Sequence, residues 1–118
     1  MIGWRRLVSC LVALLLLLGL ILPPPALSEP DGLDPGASLF QAHCAGCHLQ
    51  GGNIIRRGKT LRLAALERNG VASAEAIAAI AAAGVGQMVG YAASLGDGGP
   101  EAVAAWVWRQ ALDGWPRT

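Results

Sequence analysis

The chain has little from which to build an ordinary core. Its 118 residues include one phenylalanine and one tyrosine, and only 14% of them are charged. The formal net charge of +1 excludes the strongly basic face that nucleic-acid binding needs. No stretch alternates with a period of two for long enough to make a strand, no heptad pattern persists and no segment repeats. There is no serine–histidine–aspartate set, no phosphate loop with its lysine and no carboxylate pair beside a histidine, so nothing points to an enzyme. Cysteine is scarce as well, at three residues.

Two of those cysteines carry the argument. Cys44-Ala45-Gly46-Cys47-His48 has the C-x-x-C-H spacing of covalent haem attachment. Two thiols three positions apart share one face of a helical turn, where each can add to a vinyl group of the same haem. The imidazole that follows them is placed to take one axial position on the iron. A zinc site would need a second pair of ligands at finger-like spacing, and the remaining Cys10 and His43 do not make one. A thioredoxin-like pair expects a βαβ pattern around it, and none is visible. The expected cofactor is one haem c, bound through Cys44 and Cys47 with His48 as an axial ligand.

The first 28 residues read as an address. Trp4, Arg5 and Arg6 form a short basic start, Leu7 to Leu22 is apolar, and Pro23-Pro24-Pro25-Ala26-Leu27-Ser28 combines a breaker with a small-x-small cleavage site. The apolar run is 16 residues, short of the about 20 that a spanning helix needs. The expectation is a signal peptide over 1–28, cut after Ser28, with an uncleaved anchor as the alternative. Leu7-Val8-Ser9-Cys10 resembles a lipoprotein box but precedes the apolar run. Export agrees with the haem motif, because covalent attachment takes place on the exported side of a membrane.

Residues 29–118 then form one small domain of 90 residues. Taking Arg5 and Arg6 from the formal charge of +1 leaves it at −1. Domains of this size are marginal on apolar burial alone, and a covalently held haem supplies bulk that so few aromatics cannot. The pattern is helical throughout. Asp34 before Pro35 reads as a cap and first turn, opening a helix that carries Leu39 and Phe40 into the haem motif. Thr60 to Asn69 is a second candidate, stopped by Gly70, and Ala74 to Ala83 a third, capped by Ser73 and ended by Gly84. Pro100 opens a fourth, with Val103, Trp106, Val107 and Ala111 on one face. The fold class is all-α, with about four helices joined by glycine-rich loops.

The second axial ligand decides the chemistry. Once the leader is removed Met88 is the only methionine, and it follows the flexible Gly84-Val85-Gly86-Gln87. A thioether opposite an imidazole raises the iron's potential and closes the sixth position, which suits electron transfer. The alternative places Met88 in the core. His43 precedes Cys44, where the attachment turn holds it away from the far haem face, and it is expected on a helix surface.

With these residues in view the chain resembles cytochrome c6, the soluble photosynthetic cytochrome of cyanobacteria and algae. The resemblance runs from about Gly36 to Trp115. It is carried by Leu39-Phe40 with the haem motif, Gly51-Gly52-Asn53-Ile54-Ile55, Lys59-Thr60-Leu61 with Ala65-Leu66-Glu67, Ser73-Ala74-Glu75-Ala76-Ile77, Val103-Ala104-Ala105-Trp106-Val107 and Gly114-Trp115. It implies a class I cytochrome c fold around one haem, with His48 and Met88 as axial ligands; Asn53 and Gln87 are the residues expected to support the pocket. It also implies that Gly36 and Phe40 cross Trp106 where the first and last helices meet. The implied role is a monomeric one-electron carrier from the cytochrome b6f complex to photosystem I, in the thylakoid lumen or periplasm.

Around the distal ligand this chain departs from the family. Val89 stands where the family has a proline that stiffens the ligand loop, and Val85 replaces a lysine. Gln87 brings an amide beside Met88, either toward the sulfur and haem or into solvent. Arg56, Arg57, Lys59 and Arg62 form the one basic cluster, read either as a solvated face or as a docking patch for an acidic redox partner. Two other functions stay open at this point: donation to a terminal respiratory oxidase, and a haem sensor with an exchangeable sixth position.

Overall fold

The computed structural model describes residues 2–21 and 34–117. The expected breaker at Pro23–Pro25 and the cleavage point after Ser28 lie outside the described residues. Helix α1 spans Ile2–Ile21, and its large apolar side chains from Leu7 to Leu18 are exposed. No helix among the described residues is long and apolar enough to cross a membrane.

From Asp34 onward the chain is helical, as its caps and periodicity imply. Helix α2 (Pro35–His43) starts where the Asp34 carboxylate accepts from the Gly36 N–H at 2.8 Å, with Pro35 in the first turn. The attachment motif forms the single turn α3 (Ala45–His48), followed by 3-10 turns at Leu49–Gly51 and Arg57–Lys59. Then come α4 (Leu63–Arg68), α5 (Ala74–Ala83), α6 (Ala92–Leu95) and α7 (Gly99–Asp113). Helix α5 has the expected limits because both ends carry local signals. The Ser73 hydroxyl accepts from the Ala76 N–H at 3.1 Å, and Gly84 leaves the helix at a positive φ of 79°.

One expectation is corrected and one is completed. The helix expected from Thr60 begins only at Leu63. Thr60 and Arg62 are extended, with ψ of 167° and 146°, so helical dihedrals start only after them, while the Leu61 N–H donates to the Gly51 carbonyl at 2.8 Å. The all-α class holds, with one short hairpin added to the helices. Strands β1 (Gly84–Val85) and β2 (Met88–Val89) pair antiparallel, Val85 opposite Met88 and Gly84 opposite Val89. Their connection is Gly86-Gln87, with Gly86 at φ 54°, the glycine that a type II′ hairpin turn wants first. Two residues per strand are too few to show an alternating pattern.

The core sits where α7 crosses α2 and α5. Phe40 and Val103 are each 2% exposed and Ala104 is fully buried. Leu66, Ile77, Trp106, Val107 and Ala111 join them. The rings of Phe40 and Trp106 lie 4.8 Å apart, and Trp115 packs on both at 5.5 and 5.6 Å. At the crossing a Cβ on Gly36 would stand 2.3 Å from the Ala102 carbonyl oxygen and 2.7 Å from Trp106 Cβ. Only glycine lets the two helices approach this closely. The Arg109 guanidinium closes the same junction by pairing with the second oxygen of Asp34.

Candidate haem-attachment site

Cys44 is the joint of the site. It caps α2 by donating its N–H to the Phe40 carbonyl at 2.8 Å, and its own carbonyl accepts from Cys47 at 3.2 Å and His48 at 2.9 Å. These bonds wind the motif into one turn. Cys44 is half-buried while Cys47 is exposed. Burial pushes the Cys44 thiol above its ordinary value, because desolvation disfavours the thiolate.

The segment after the motif holds the imidazole. His48 Nδ1 lies 2.8 Å from the Gly52 carbonyl oxygen, which has no proton to give, so the ring donates from Nδ1 and keeps its lone pair on Nε2. Fixing the tautomer and the plane of the ring in this way is what an axial ligand requires. Gly52 is itself held: its N–H donates to Leu49 at 2.9 Å, and Ile54 donates to Cys47 at 3.1 Å. On the far side, Trp115 Nε1 donates to the Leu61 carbonyl at 3.0 Å.

Met88 is half-buried in β2. Three residues on, Tyr91 donates its N–H to Ala81 at 2.9 Å and sets its ring 6.4 Å from that of His43. His43 adjoins Cys44, so this contact brings the methionine hairpin and the attachment turn to one edge of the fold. His43 is half-buried at the end of α2, with its ring toward that of Tyr91. Gln87 is exposed at the hairpin tip. Tyr91 escaped the sequence reading because its role depends on a long-range contact.

Asn53 organises the loop after Gly52. Its side-chain carbonyl accepts from Ile55 at 2.9 Å and Arg56 at 2.7 Å, and its amide donates to the Lys59 carbonyl at 3.0 Å. This winding leaves Ile54 and Ile55 71% and 61% exposed, beside the exposed Arg56 and Arg57. Lys59 Nζ donates to Asn69 Oδ1 at 2.6 Å, and the Asn69 amide donates to Gly58 at 3.0 Å and Ala65 at 2.8 Å. Sequence reading missed Asn69; its only local signal was its place as the polar residue before Gly70. Arg62 is exposed at the start of α4. No carboxylate pairs with Arg56, Arg57, Lys59 or Arg62 among the described residues.

Two thiols on one turn, a tautomer-fixed imidazole and a methionine hairpin at the same edge fit a covalently bound haem. The class defined by this helical core and attachment turn is the class I c-type cytochrome. The family model described as "Cytochrome C oxidase, cbb3-type, subunit III" matches residues 31–107, so the chain belongs to that family of c-type cytochrome domains. A curated "Cytochrome c6-like" protein of Nostoc sp. is 41% identical over 89% of this chain and 92% of its own length. The crystal structure of cytochrome c6B from a Synechococcus species is 56% identical at a TM-score of 0.70, covering 73% of this chain and 98% of that one. Cytochrome c6C from another Synechococcus is 48% identical at 0.65, covering 68% and 98%. The chain thus belongs to the cytochrome c6 family: it is a c-type cytochrome with one covalently attached haem c, an electron carrier and not an enzyme.

Proposed function

We propose that this protein is an exported one-electron carrier whose haem is attached through Cys44 and Cys47, with His48 and Met88 as axial ligands, and that it carries electrons from the cytochrome b6f complex to photosystem I. The observation that carries the reading is the hydrogen bond from His48 Nδ1 to the Gly52 carbonyl. It reserves Nε2 for a metal and links the ligand to the loop that presents Ile54, Ile55 and the basic residues. When bound, the haem supplies the one-electron redox centre. The protein's residues do the rest. His48 donates from a fixed ring, the Met88 hairpin presents a thioether, and Asn53 and Gln87 support the pocket edge. Arg56, Arg57, Lys59 and Arg62 steer an acidic partner toward the exposed isoleucines.

Export is supported by α1, whose uncovered apolar side chains suit a signal segment over 1–28 ahead of a monomeric domain over 29–118. The compartment is the thylakoid lumen or periplasm.

The test is an absorption spectrum of the protein matured with a c-haem assembly system, in both oxidation states, with and without carbon monoxide. A low-spin spectrum with the weak far-red band of ferric iron–methionine, unchanged by carbon monoxide, supports His48/Met88 ligation. Ready carbon monoxide binding replaces the carrier reading with a haem sensor. Reduction of a terminal oxidase in preference to photosystem I moves the same chemistry to a respiratory route.

A further inference from the structure

The hairpin that carries Met88 has little in itself to hold it. Its strands are two residues each, too short to be stable alone. Val89, after the methionine, leaves the backbone free where a proline would fix φ. What closes the hairpin is the end of α5. The last four carbonyls of a helix lack partners within it. Here the Gly84 N–H takes the Ile80 carbonyl, and the Tyr91 N–H takes that of Ala81 at 2.9 Å. The chain thus leaves α5 at Gly84 and is back against it at Tyr91, with Met88 between.

Two glycines permit that return. A Cβ on Gly84 would stand 2.5 Å from the Met88 carbonyl oxygen and 2.6 Å from the Gly90 nitrogen. A Cβ on Gly90 would strike the Ala82 carbonyl oxygen and lie 2.9 Å from the Ala83 carbonyl carbon. Each obstacle is backbone, which cannot swing aside as the end of a side chain can. At the tip, by contrast, a Cβ on Gly86 would meet nothing within 4 Å among the described residues, and Gln87 is exposed. The hairpin is tight where it meets the helix and open where it turns.

We propose that Gly84 and Gly90 are positioning residues for the distal ligand. By letting the backbone close on α5 they hold Met88 at the sixth position and keep outside ligands from it. The clasp supplies the stiffness that a proline after the ligand would give. This inference rests on the Met88 ligation proposed above.

The test titrates ferric holoprotein with imidazole, which binds the iron only when Met88 gives way. Gly90→Ala drives the returning strand off α5. It should bind imidazole about tenfold more tightly than the parent and lose most of the far-red iron–methionine band. Gly36→Ala, which loosens the α2–α7 crossing instead, should keep the parent's band and affinity. A parent that shows the band, with a Gly90→Ala variant that matches it in band and affinity, overturns the clasp alone. So does a Gly36→Ala variant that changes as much as Gly90→Ala. A parent without the band overturns Met88 ligation and the clasp with it. If Gly90→Ala does not mature, amide hydrogen exchange in the ferrous parent decides. The Tyr91 N–H should be protected at least about tenfold more than that of Gln87, and less protection overturns the proposal.

Discussion

Replacing Gly36 by alanine tests whether the α2–α7 crossing sets the stability of the domain. The added Cβ lies 2.3 Å from a backbone oxygen and 2.7 Å from Trp106 Cβ, while ordinary contact begins at about 3.4 Å. Neither obstacle can swing aside, so the helices must part by about 1 Å. Overpacking of this kind costs about 1–3 kcal/mol. Parting the helices also loosens Phe40 from Trp106, a contact of the type worth about 0.5–1.5 kcal/mol. Alanine returns up to about 1 kcal/mol of helix propensity. The net is a destabilisation of about 2 kcal/mol, which lowers Tm by about 8–16 °C in a domain of this size. Thermal unfolding of the ferric holoprotein by circular dichroism measures it, with Gly46→Ala as the control. At Gly46 an added Cβ has no neighbour within 4 Å among the described residues, so that variant should match the parent or slightly exceed it. Equal stability in the two variants would refute the reasoning, because steric contact at the crossing is the difference between them.

Three further outcomes are expected. In the haem-free chain, Cys44 should react with iodoacetamide more slowly than it does in urea, with its rate rising at higher pH, because burial holds the folded thiol neutral. The same raised value makes its stability contribution complete below the ordinary thiol range and lost as pH rises through the folded value; identical pH profiles with and without urea would remove the effect. Asp34→Asn should keep the α2 cap but lose the Arg109 pair, costing under about 1 kcal/mol and nothing at high salt. Asp34→Ala should cost about 1 kcal/mol more through the lost cap, and equal losses would deny the cap a role. Arg57→Glu should slow electron transfer with the partner complex mainly at low ionic strength, measured by flash kinetics; a rate indifferent to both salt and charge would place docking elsewhere.

Features with contiguous signals were legible in the sequence. The attachment motif is five adjacent residues, and α5 carries its cap and stop in Ser73 and Gly84. The crossing of Gly36 and Phe40 with Trp106 came from resemblance, and the structure bears it out. What could not be read depends on partners far along the chain. The start of α4 is set by the extended backbone at Thr60 and Arg62, beside the bond from Leu61 to Gly51, and nothing near Thr60 announces it. Asn53 was singled out only as pocket support and Asn69 not at all, yet between them they tie the loop from Ile55 to Lys59. The Met88 hairpin fell below any periodic pattern, although Gly86 ahead of Gln87 was a turn signal in plain view.

The partner chosen for His48 has a consequence for how the protein would behave in a compartment whose acidity changes. A carboxylate holding Nδ1 would take up a proton as the surroundings acidified, and the imidazole's donor strength would drop with it. The Gly52 peptide carbonyl has no such proton to gain. With His48 as the proposed axial ligand, a backbone anchor would leave that contact with no proton to gain, and the ligand's electronic push through it unchanged, as the solution around it becomes acidic.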